Sequence, residues 1–106
     1  AGSTSLLAEK LKAICSEQYQ IVHAGFLELA EPLIPDGIKQ CIDDGATSII
    51  VLPYFLNSGR HVVEDIPTIV NETEALYPQV DINIASHLGA SDKMIEILMS
   101  CANQVK

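Results

Sequence analysis

The sequence has no tryptophan, two phenylalanines and three tyrosines, and only six lysines and arginines against fourteen acidic residues. A net charge of −8 leaves little to hold a phosphate backbone, which excludes a general nucleic-acid binder and makes anionic membranes poor partners. No apolar run approaches the ~20 residues of a membrane span, and the start, AGSTSLLAEKLKA, has no signal-peptide core. Cysteines are few and odd in number: Cys15, Cys41 and Cys101, without a CxxC pair or a zinc-finger spacing. A disulfide scaffold is therefore excluded. Each cysteine falls among apolar neighbours in a stretch that reads as helix, so the expectation is free thiols packed in the core of a cytoplasmic protein.

What is present is a core. Of 106 residues, 48% are hydrophobic and evenly spread, which suits one domain over 1–106 that buries roughly two-thirds of its unfolded surface. Leu7, Leu11 and Ile14 share one face of a helix over 5–16. A β-rich stretch, 20–29, follows. A second helix is expected over 31–44, with Ile34, Ile38, Cys41 and Ile42 as its apolar stripe, Pro32 and Pro35 in its early turns and Gly45 ending it. The run Ile49-Ile50-Val51-Leu52 marks the clearest strand, 48–56. It is apolar on both faces, as in the interior of a parallel sheet, and regular pairing should stop at Pro53. A third helix over 62–76 aligns Val62, Ile66, Ile69 and Val70. A strand over 80–84 alternates strictly, and a last helix over 91–104 aligns Ile95, Leu98, Ala102 and Val105. The order αβαβαβα, with helices between strands, predicts an α/β fold: a three-layer sandwich around a parallel sheet, with three visible strands and four helices.

In such a sheet ligands bind beyond the carboxyl ends of the strands. That rule selects Glu28 after the first strand, Arg60 and His61 after the second, and His87 after the third. Gly59 frees the backbone ahead of them, and the start of the third helix adds positive potential. His23 reads as a packing residue within its strand, and Glu64 and Asp65 as acidic side chains that favour the helix dipole. Imidazole and carboxylate on one cleft suit a divalent metal, Co²⁺, Ni²⁺, Fe²⁺ or Zn²⁺, with the carboxylate as ligand or proton acceptor. Two protein ligands would hold that ion loosely, as transfer requires. No phosphate loop, nucleophile elbow or HExxH is present.

Three segments together resemble the small, single-domain sirohydrochlorin cobalt and iron chelatases: FLELAEP (26–32), VLPYFLNSGRHVVEDIP (51–67) and SHLGAS (86–91). The resemblance runs in order along nearly the whole chain. It implies a chelatase-like fold of flavodoxin-like topology and a lyase-type reaction, the insertion of Co²⁺ or Fe²⁺ into sirohydrochlorin in cobalamin or siroheme synthesis. By that similarity His61 and Glu28 are the catalytic and metal-binding pair; His87, chosen by its place after the third strand, is a candidate replacement ligand. Arg60, with Asn57, Ser58 and Gly59, would receive the carboxylates of the tetrapyrrole. The metal is then a substrate and no tightly bound cofactor is implied. Neither nucleic acid nor membrane is a partner, and a homodimer is an assembly the resemblance allows.

The pattern departs at its start. Members of that family open with a hydrophobic strand running into a His-Gly-Ser-Arg loop, whereas Ala1-Gly2-Ser3-Thr4 has no histidine. On spacing, the family's histidine is expected upstream of residue 1. A longer chain, a second copy that completes the sheet, or a relative that binds metal or tetrapyrrole without inserting the metal are the three readings this leaves.

Overall fold

The computed structural model describes residues 2–14, 21–23, 25 and 32–106. Four α-helices and a parallel sheet follow in the order α1 (Gly2–Ile14), α2 (Ile34–Asp43), β1 (Ser48–Val51), α3 (Ile66–Leu76), β2 (Asp81–Ile84) and α4 (Met94–Asn103). The α/β class read from the sequence is the class observed. The expected strand at 20–29 lies largely outside the described residues, and positions 21–23 and 25 carry no regular secondary structure. No described helix is long and apolar enough to cross a membrane.

β1 and β2 pair in parallel with Ser48 opposite Asp81, Ile49 opposite Ile82, Ile50 opposite Asn83 and Val51 opposite Ile84. Side chains alternate across a strand, so Ile49 and Ile82 point to one face together. There α2 and α3 cover them. The buried cluster is Ile38, Ile49, Ile66, Val70, Val80 and Ile82, edged by Ile34, Cys41, Ile42, Val51, Phe55 and Tyr77. The stripe expected on α2 is thus the one that packs, and on α3 Ile66 and Val70 pack as expected while Val62 and Ile69 lie outside the cluster.

The other face departs from expectation. Ile50 is 47% exposed and Leu52 60%, so the apolar run of β1 is covered on one side only. Its neighbours on that face belong to Asp81 and Asn83, whose side chains hydrogen-bond to each other at 3.2 Å. The α4 stripe is uncovered too, with Ile95, Leu98 and Val105 all exposed. Among the thiols Cys41 is half-buried at the core edge but Cys101 is exposed on α4, contrary to the packed position expected, and Cys15 lies outside the described residues.

Helix ends follow local chemistry. Gly45 adopts φ +105°, a conformation that costs a side chain energy, and its N–H donates to the Ile42 carbonyl while Ala46 N–H donates to that of Cys41. That bond pair is the Schellman stop for α2. Ahead of α3 the structure differs from a plain helix over 62–76: His61–Asp65 form a π-helical turn, and the Ile66 N–H reaches the His61 carbonyl five residues back. Pro67 supplies the reason. It has no N–H for the Val63 carbonyl and its ring crowds that group, so the preceding turn widens. α3 ends at Leu76, ahead of Tyr77-Pro78, where the residue before proline leaves the helical region.

Candidate functional site at the carboxyl edge of the sheet

β1 stops at Val51, short of the expected residue 56, because the nitrogen of Pro53 cannot join a ladder. The two chains nevertheless stay together past the strands. Ala85 N–H donates to the Val51 carbonyl at 2.9 Å, Leu88 N–H to Pro53 at 3.1 Å and Gly89 N–H to Phe55 at 2.9 Å. The segment carrying residues 53–61 and the one carrying His87 are therefore fastened side by side at one rim. A Cβ on Gly89 would overlap the Leu56 carbonyl and lie 2.9 Å from Leu56 Cα, so only glycine permits this approach.

His61 opens the π-turn and is held from two directions. The Phe55 ring lies against it with centroids 6.4 Å apart and planes 25° from parallel. Its Nδ1 is 2.8 Å from Asp65 Oδ2, and an ionised carboxylate only accepts, so Nδ1–H is the donor. In the neutral ring Nε2 then carries the lone pair. The side chain is 55% exposed, so the ring stands open to solvent and its second nitrogen is the candidate ligand or proton acceptor.

Arg60 is 81% exposed and touches Glu64 through Nε at 3.3 Å, a weak surface pair that leaves the guanidinium largely in solvent. Asn57, Ser58 and Gly59 form an exposed loop beside it, and the Gly59 carbonyl accepts from both Val62 and Val63 N–H at 3.1 Å, which starts the turn. His87 is half-buried in extended backbone (φ −63°, ψ 156°), and its carbonyl accepts from Ala90 N–H. Glu28, the carboxylate paired with His61 from the sequence, lies outside the described residues. Among the described residues no three His, Cys, Asp or Glu side chains converge as a metal cluster.

Two features escaped the sequence reading. Asp65, expected at the helix start for its charge, also bonds to His61 four residues back; Phe55 gives no signal in the sequence, because its stacking depends on where the chain turns after Pro53. His23 is exposed, bonded to Asp44 at 2.7 Å, and is not a packing residue. It borders a shallow hollow of about 280 Å³ between α1 and α2 that includes Glu9, Lys12 and Gln40 but none of the rim residues.

The chain matches the family model described as CbiX over residues 4–105. It is 34% identical to a sirohydrochlorin cobaltochelatase of Methanococcus maripaludis, an alignment that covers 92% of this chain and 83% of that one. It is 35% identical to a sirohydrochlorin ferrochelatase of Priestia megaterium, over 74% of this chain and 30% of the relative, so it spans under a third of that protein's length. Among solved structures, a cobalamin-biosynthesis CbiX protein of Marinobacter aquaeolei superimposes with a TM-score of 0.74 at 26% identity, covering 91% of this chain and 79% of the other. SirB of Bacillus subtilis with Fe³⁺ gives 0.76 at 25% identity, covering 99% of this chain and 42% of that one. The rim that carries His61, the parallel α/β core and a family match over almost the whole sequence converge, and the chain belongs to the CbiX family.

Proposed function

We propose that this protein inserts a divalent metal, Co²⁺ or Fe²⁺, into sirohydrochlorin. The observation that carries the proposal is an exposed imidazole at the strand-end rim, within a family match that spans both of its flanking segments. Relatives named as sirohydrochlorin cobaltochelatases and ferrochelatases support both the substrate and the metals.

The chemistry asks for little. A divalent cation enters the macrocycle and two pyrrole N–H protons leave, so a ligand must release the ion and an acceptor must take protons on the same face. His61 Nε2 takes the ligand role and Glu28 the proton-accepting role, either directly or as a second ligand. His87, on the fastened neighbouring segment, is the further candidate ligand. A small ligand set holds the ion weakly enough to surrender it to four pyrrole nitrogens. The metal is thus cargo, and no resident cofactor enters the scheme.

Charge divides the labour. A domain at −8 attracts cations, while the polycarboxylate substrate needs a local positive group; Arg60 with the start of the π-turn supplies one, beside Asn57, Ser58 and Gly59. We read residues 1–106 as one unit acting in the cytoplasm, with homodimerisation as its assembly.

The test mixes purified protein with sirohydrochlorin and Co²⁺ and follows the absorption spectrum. Insertion above the uncatalysed rate, abolished in His61→Ala, upholds the proposal. Spectral binding without acceleration identifies a carrier of metal or tetrapyrrole instead, and no response refutes both.

A further inference from the structure

A ligand histidine works only if its free nitrogen is the right one and its ring is held. Neutral imidazole carries one proton, and which nitrogen bears it is set by the bond the other makes. At His61 that partner is Asp65. Its Oδ2 lies 2.8 Å from Nδ1, on a side chain only 35% exposed, at the last residue of the same π-turn. The Phe55 ring, itself packed on the core, lies along the imidazole face. By contrast Glu64, its neighbour in sequence and equally near the start of α3, is 65% exposed and turns to Arg60. A residue serving the helix dipole alone needs no such aim.

We infer that Asp65 is a positioning residue: its carboxylate holds His61 in the Nδ1–H tautomer, with Phe55 fixing the ring plane, so that Nε2 presents its lone pair to the incoming cation. The π-turn is part of the device, because Pro67 forces the widened turn that carries both residues. The inference rests on the chelatase reading for its purpose, but the tautomer and the affinity for a bare metal ion stand apart from catalysis.

The experiment uses ¹⁵N-histidine-labelled protein at mildly alkaline pH, with long-range ¹H–¹⁵N correlation spectra reporting which nitrogen of His61 is protonated. Co²⁺ alone is the probe for affinity, measured by calorimetry. In the wild type Nδ1 bears the proton. In Asp65→Ala the ring reverts to a mixture rich in the Nε2–H form, and Co²⁺ affinity falls about 10- to 100-fold, the usual cost of losing such an outer partner. Asp65→Asn, which keeps an acceptor oxygen, restores part of the Nδ1–H population. Glu64→Ala removes an equivalent charge from the helix start and leaves tautomer and Co²⁺ affinity unchanged, which separates positioning from the dipole. An Asp65→Ala protein, folded by circular dichroism, that keeps the wild-type tautomer or binds Co²⁺ within about twofold of wild type overturns the inference. Absence of chelatase activity in a wild type that shows the Nδ1–H tautomer and the Asp65-dependent Co²⁺ affinity refutes the enzymatic reading alone.

Discussion

Gly89→Ala is the substitution whose consequences the structure defines most sharply. The new Cβ would overlap the Leu56 carbonyl and stand 2.9 Å from Leu56 Cα, whereas carbon atoms rest about 3.5–4 Å apart. Both partners are backbone, so neither a rotamer change nor a flexible tip relieves the clash, and the 55–57 segment must retreat by on the order of 1 Å. That retreat breaks or weakens the bonds from Gly89 N–H to Phe55 and from Leu88 N–H to Pro53. Two bonds at about 0.5–1.5 kcal/mol each, with about 1–3 kcal/mol of overpacking strain, set the expected destabilisation at about 2–6 kcal/mol. Function suffers separately, because Phe55 moves away from His61, and a 1 Å misplacement costs on the order of 100-fold in rate. Urea unfolding gives the first quantity and Co²⁺ insertion into sirohydrochlorin the second. Two glycines serve as controls. Gly59→Ala meets nothing closer than the Asn57 side chain at 3.6 Å and leaves stability near wild type, while Gly45→Ala at φ +105° loses stability far from the rim with the rate of folded protein intact. A Gly89→Ala protein within 0.5 kcal/mol of wild type, on the scale of an ordinary surface change, refutes the reasoning.

The other predictions concern charge, ligation and thiols. Arg60→Ala weakens tetrapyrrole binding, followed by absorption titration, more than Co²⁺ binding, followed by calorimetry; equal losses argue against its role. Glu28→Ala abolishes accelerated insertion, whereas His87→Ala reduces it without abolishing it, and steady-state rates with Co²⁺ check both. Burial, with help from Asp44, pushes the Cys41 thiol above its usual range, so its thiolate appears only at higher pH and it reacts slowly. Cys101, exposed on α4, reacts with a thiol reagent well before Cys41 at neutral pH, and the order observed in a time course tests it.

The apolar period was enough to locate α2, α3 and their core stripe, because Ile38, Ile66 and Val70 face one another for the same reason they recur in the sequence: a helix repeats every 3.6 residues. Gly45 as a helix stop and Pro53 as the end of pairing were legible too, since each acts through its own backbone. The four-residue run of β1 misled on one point. Composition announces that Ile50 and Leu52 are apolar, but whether a layer covers them depends on elements distant in sequence, and here they stay exposed with the stripe of α4.

At the rim the division is the same. The sequence determined that His61 follows a strand and that an aspartate stands four residues on, because spacing is a local property. Pro67 widens its turn through its own backbone, but only the tertiary structure decided that Phe55 would stack on the imidazole and that Gly89 would lie against Leu56 to bind the two loops together. Those arrangements arise from packing between segments, where the energy belongs to pairs of residues far apart in the chain and no single stretch records it.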